Sequence, residues 1–197
     1  MTPEPDYVVW GTTPLGGLAT LLVAENVPDA YELSEGVSRA AGWPADAAFR
    51  MNPSFPRDVR LADAVHSRGG NGVPVVSPAL RAVIEAFGPP DLEVLPVTIH
   101  DHKGRVASAD YVIANSFHVL DCLDHERMGI VWNPLDPASI ASCERVVLDP
   151  ARIDGAPALF RAANFESRVM VRRDVAEAIR AAGLTGTFFR EPADVTA

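Results

Sequence analysis

The run Val75 to Gly88 is matched by the run Met170 to Gly183, 95 positions later and without a gap. In each copy an apolar pair, Val75-Val76 or Met170-Val171, leads into a segment of helical spacing that a glycine closes. Leu80, Val83, Ile84 and Phe87 recur at the period of one helix face. Gly88 and Gly183 stand where a C-terminal cap takes positive φ, and Pro78 after Ser77 suits a first helical turn. Beyond each glycine comes a further apolar run, Leu92 to Ile99 in one copy and Thr187 to Arg190 in the other. Two copies are too few to stack as a solenoid. The repeat therefore predicts two duplicated strand-helix-strand units that pack their helices on a sheet.

The intervening residues supply that sheet. His100 to Gly104 separates two β-like runs, and Asp101 and Gly104 suit the ends of a type I turn. Leu92 to Ile99 and Ala107 to Leu120 are thus expected to pair as an antiparallel hairpin. In its second arm Tyr111, Ile113, Phe117 and Val119 share one face and Val112, Ala114 and Leu120 the other, the pattern of a strand buried on both sides. Tyr7 to Trp10, Gly129 to Trp132, Arg145 to Leu148 and Ala156 to Ala162 are further strand candidates. Asp29 to Ala41 and Pro134 to Ser142 read as helices, Leu61 to Val65 and Leu15 to Ala24 as helix or strand, and Pro44 to Pro56 as irregular coil over the core. The fold class expected is α+β, with a central, mainly antiparallel sheet covered by the two repeat helices. Ser67 to Gly72 is the strongest loop signal. It divides an irregular N-terminal segment, residues 1–72, from a strongly patterned α+β domain, residues 73–197, within one compact domain overall.

Composition narrows the function. The chain of 197 residues is 48% apolar and 22% charged, the make-up of a folded soluble protein. Its formal charge of −9 argues against nucleic acid as a partner, because neutralising phosphates needs a basic face. The acidic excess lies in residues 1–135, with 17 acids against 9 bases, and suits a basic partner. Cys122 and Cys143 make no metal spacing, and a chain of this length needs no disulfide. Met1 to Asp6 lacks the basic start of a secretion signal, and the ten residues Leu15 to Ala24 are too few to span a bilayer. A cytoplasmic protein without a membrane partner is expected.

Few residues group as a reactive site would. His118, Asp121, Cys122 and His125 are spaced three, four and seven apart, so on a helix they would line one face with metal-ligand chemistry. The apolar run through Leu120 reads as a strand, which would scatter them. His100-Asp101-His102 reads as a solvated turn, and Ser77 as a helix N-cap. No nucleophile elbow, phosphate loop or dinucleotide fingerprint is present, and no cofactor is expected. The sixteen arginines are scattered. Carboxylates gather from Asp121 to Glu126, just after the central strand, and Asp101 lies at the opposite end of the hairpin. Asp101, Asp121, Asp124 and Glu126 are the residues expected to present charge to a basic partner.

Val75-Val76-Ser77 with its helix, then Leu95-Pro96-Val97, Val119 to Asp124, Leu159-Phe160-Arg161 and the second helix running into Gly183 to Phe188 resemble, in order and spacing, a bacterial family. It is the myxobacterial-type immunity proteins of polymorphic toxin systems, formerly a domain of unknown function. The resemblance covers about residues 60–192. Where the family pattern favours serine after the paired aspartates, this chain has Met128. The resemblance implies a non-enzymatic protein, monomeric or dimeric, that binds a cognate toxin encoded by the adjacent gene and blocks its active site. The rival expectation from the residues is a small metal-dependent hydrolase using His118, Asp121 and His125.

Overall fold

The computed structural model describes residues 7–14, 16–68 and 73–196; the expected start Met1 to Asp6 and most of the loop Ser67 to Gly72 lie outside the described residues. In chain order the first strands are β1 (Tyr7–Thr12), β2 (Ala48–Arg50), β3 (Ala64–Val65) and β4 (Val75–Val76), followed by helix α1 (Pro78–Ala86). Next come β5 (Leu92–Pro96), β6 (Thr98–His100), β7 (Val106–Ser108), β8 (Val112–Ser116) and β9 (Val119–Leu120). The remainder is β10 (Ile130–Trp132), β11 (Ile140–Cys143), β12 (Leu159–Ala162), β13 (Phe165–Arg172), helix α2 (Arg173–Ala181) and β14 (Thr187–Arg190). Among the described residues no helix is long and apolar enough to cross a membrane.

The fold is α+β, but its strands form several sheets. A four-stranded sheet runs β3-β4-β8-β5 and a five-stranded one β14-β1-β13-β12-β9. Smaller sheets are β2-β6-β7 and the hairpin β10-β11. Pairing is mainly antiparallel, with β9 on β12 and β2 on β6 parallel. In the four-stranded sheet β4 and β5 flank β8, with Val76 opposite Val112 and Leu92 opposite Ser116. In the five-stranded sheet β13 and β14 flank β1, with Val171 opposite Val8 and Thr187 opposite Thr12. The flanking strands are joined by α1 in one case and α2 in the other. Ser77 caps α1 by accepting the Leu80 N–H at 3.2 Å, with Pro78 at the first helical position.

Alternation along the strands divides the core in three. Val8, Trp10, Val76, Val112, Ala114 and Val171 face Leu80, Ile84, Val175 and Ile179 of the helices. The opposite face of the five-stranded sheet buries Tyr7, Val9, Phe160 and Met170 with Cys122 and Met128. The opposite face of the four-stranded sheet buries Val75, Leu95 and Ile113 with Leu21, Leu33, Phe49 and Met51. Both large sheets bury side chains on both faces, most completely at β8, all five of whose residues are buried.

Two charged side chains fasten the loosely patterned residues 30–40 to this frame. Arg161, fully buried in β12, donates from Nε to the Ser116 carbonyl at 2.6 Å, from Nη1 to the Glu166 carbonyl at 2.6 Å and from Nη2 to the Leu33 carbonyl at 2.9 Å. Burial pulls its pKa down to about 10, opposed by the charge of Glu166, so it stays protonated at neutral pH. Glu93, buried in β5, accepts the N–H groups of Arg39 at 2.7 Å and Ala40 at 3.0 Å, the Asn115 amide at 3.1 Å and the Ser38 hydroxyl. Burial alone would raise its pKa, but these donors outweigh it and hold the carboxyl below its ordinary value.

Several expected elements take other forms. Asp29 to Ala41 holds only the single 3-10 turn Ala30–Ser34: the Glu35 and Val37 N–H groups both return to the Glu32 carbonyl, and those of Arg39 and Ala40 bond to Glu93 and not to helical carbonyls. Pro134 to Ser142 is a turn leading into β11, since Asn133 and Asp136 carboxamide and carboxylate oxygens capture the Leu135 and Ala138 N–H groups. Pro44 to Pro56 contains β2, which joins β6. Arg145 to Leu148 makes one isolated bridge, Leu148 to Leu123, while the Val146 N–H goes to the Pro192 carbonyl. The expected hairpin is present but divided: β5 pairs with β8, and β6 with β7 in the small sheet.

Replacing Arg161 by Met leaves three buried carbonyls without this donor, and urea unfolding should show a loss of about 3 kcal/mol or more. The depressed pKa of Glu93 means its contribution is present above about pH 4.3 and is lost as pH falls through the lower folded value. Glu93→Gln should therefore cost about 1–3 kcal/mol at neutral pH, and its difference from the parent in urea midpoint should narrow in acid.

Candidate functional site

The four carboxylates expected to face a partner occupy two regions. Asp101 organises the turn between β6 and β7: its Oδ1 accepts the N–H groups of Lys103 and Arg105, and its Oδ2 takes the Arg105 guanidinium at 2.8 and 2.6 Å. The Arg105 fork, together with these N–H groups, holds the Asp101 carboxyl down to about 2. Asp121, Asp124 and Glu126 lie together between β9 and β10, the last in a 3-10 turn, His125–Arg127. Asp121 is exposed and pairs with Arg152 at 2.9 Å, Asp124 lies 3.7 Å from Arg127, and Glu126 is exposed.

The same turn carries a contact that links these acids to an apolar surface. The His125 ring meets Trp132 of β10 edge to face, with centroids 5.4 Å apart. Trp132 and its neighbour Val131 are 41% and 59% exposed, and Leu135 at the hairpin tip is 95% exposed. The tip is nonetheless tied down. Asn133 Oδ1 accepts the Leu135 N–H at 2.9 Å, and the Ala138 carbonyl accepts the Asn164 amide at 2.7 Å. Asn164 also takes the Ile140 N–H on its carbonyl at 3.0 Å, and Ile140 and Cys143 seat β11 in the core from end to end. These exposed residues were not singled out from the sequence. Asn133-Pro134 and Asp136-Pro137, turn dipeptides between two apolar runs, were the available signal.

The residues of the rival hydrolase are not brought together. His118 precedes β9 and bonds through Nδ1 to Asp91 at 2.8 Å, Asp121 turns to Arg152, and His125 meets Trp132 edge to face. The chain here is strand and then 3-10 turn, so the helical face that would have aligned them does not form. Among the described residues no three His, Cys, Asp or Glu side chains are placed to hold a metal ion. Cys122 is buried; burial and the nearby Asp121 charge push its thiol up to about 12. The Ser77 hydroxyl donates a hydrogen bond to Asp63 Oδ1 at 2.8 Å and accepts the Leu80 N–H as a cap. A crevice of about 190 Å³ between the 3-10 turn at Ser34 and the hairpin loop at Ser139 is smaller than a typical ligand pocket of roughly 300 Å³ or more.

Compared with known protein families, residues 23–194 match the immunity protein family Imm11. This chain belongs to that family. A comparison with curated proteins found no match. The Imm11 match starts well before residue 60, so β2, β3 and the segment held by Arg161 and Glu93 fall within the matched region along with the two helices. Met128, at the position where serine was the family expectation, is fully buried, and its carbonyl accepts the Glu144 N–H at 3.1 Å. In this Imm11 protein the turn after the paired aspartates is therefore anchored by packing. Cys122 should resist alkylation by iodoacetamide at about pH 8 in the folded protein and react fully in denaturant, as followed by mass spectrometry.

Proposed function

We propose that this Imm11 chain binds a cognate toxin protein and neutralises it by covering its active site or substrate path, protecting the cell that makes both. The observation that carries this reading is the family match over residues 23–194. Three features support it. The chain has a formal charge of −9, which favours a basic partner and speeds association with one. Its two large sheets are buried on both faces, giving a stiff body that loses little freedom on binding. The two histidines that could have served a hydrolase are engaged separately, His118 with Asp91 and His125 with Trp132, and the Cys122 thiol is buried.

In this reading the toxin is encoded in the adjacent reading frame, the complex forms in the cytoplasm, and the free protein is a monomer or dimer. Asp121, Asp124 and Glu126 form one acidic edge facing the toxin, while Asp101, paired with Arg105 and beside Lys103, fixes the shape of a separate turn that makes a second contact. The complex is expected to be one-to-one with an interface of about 1,600 Å². Co-expression with the adjacent toxin should restore growth, and the two proteins should co-purify. Death of the co-expressing cells together with failure to co-purify would refute the proposal.

A further inference from the structure

We infer that the β10–β11 hairpin, residues 130–143, is the surface on which the toxin docks, and that it fits an apolar cleft rimmed by lysine and arginine. The inference rests on the proposed function and assigns the face that performs it. Among the described residues neither edge of this two-stranded sheet carries a third strand. Val131, 59% exposed, turns one face of the hairpin to solvent, while Trp132, 41% exposed, lies across from the buried Ile140 at the border of the core. Leu135, one turn further out, is 95% exposed. It gains nothing for the fold there, although the loop that carries it is pinned by Asn133, Asp136 and Asn164. A fixed apolar tip in water is the anatomy of an interface centre, where a few well-placed anchors carry most of the affinity.

Charge decides the occupant. From Asp121 to Arg152 the chain holds six acids, Asp121, Asp124, Glu126, Asp136, Glu144 and Asp149, against three bases, Arg127, Arg145 and Arg152. Asp121 and Asp124 have arginine neighbours, whereas Glu126, Asp136 and Glu144 take part in no ion pair among the described residues. An apolar centre with an unneutralised acidic rim complements a basic polypeptide surface. A second copy of this chain would set the same carboxylates against each other, which disfavours self-association through this face.

The test uses the full chain and a catalytically inactivated toxin domain from the adjacent reading frame. Leu135→Asp and Val131→Glu should leave the circular dichroism spectrum and the Tm unchanged and raise Kd about 30-fold or more. Phe55→Ser, at an exposed apolar position outside the hairpin, should keep the parental Kd. Glu126→Gln should slow association at low salt and much less at high salt. If the parent binds the toxin and both hairpin variants bind as tightly, the docking face lies elsewhere while the proposed function stands. If the parent itself does not bind, the function falls and this inference with it. A parental dimer that Leu135→Asp converts to a monomer would assign the face to self-association and overturn the inference.

Discussion

A single guanidinium holds three parts of this molecule in place. Arg161 leaves β12 and donates to carbonyls at the end of β8, in β13 and in the 3-10 turn at Leu33, so the two large sheets and the N-terminal segment share one donor. Burying a cation this completely is tolerable only when its hydrogens all find acceptors, because a missing one costs more than a neutral bond would. The surroundings are shaped to that demand. Gly36, at φ +72°, lies where a Cβ would come within 3.0 Å of Arg161 Cδ and 2.8 Å of Val119 Cγ2, so the chain passes close enough to cover the guanidinium only without a side chain there. Glu93 completes the arrangement by gathering the next N–H groups along the same segment.

That arrangement explains which parts of the fold could be read in the sequence. Helical periodicity and a proline after serine made α1 legible, and the two-sided apolar pattern made β8 legible as a central strand, because both depend on residues a few positions apart. The segment 29–41 was misread because its backbone partners are a carboxylate in β5 and an arginine in β12, neither visible to local periodicity. Pro134 to Ser142 was misread because Asn133 and Asp136 compete for the backbone and favour turns over helix. Arg161 itself sat among sixteen arginines, and nothing local set it apart.

The candidate site was legible in part for a similar reason. A run of carboxylates from Asp121 to Glu126 can be seen in any sequence, but solvent exposure cannot, and the apolar hairpin beside them emerged only from the fold. Asp101 looked equivalent to the others in sequence and serves its own turn in the structure. Motif order pointed to the family from residue 60 onward, while the match begins at residue 23, in the part whose packing partners are most distant.

The position of β1 has a consequence for biogenesis. It is the strand that β13 and β14 share, yet the ribosome makes it more than 150 residues before either of them, as the pairings of Val9 with Met170 and Arg190 imply. During synthesis Tyr7, Val9 and Trp10 wait without the strands that will cover them. Closure of that sheet is a late, long-range event, which tends to slow folding. A nascent chain of this design depends on whatever shields β1 until β14 emerges.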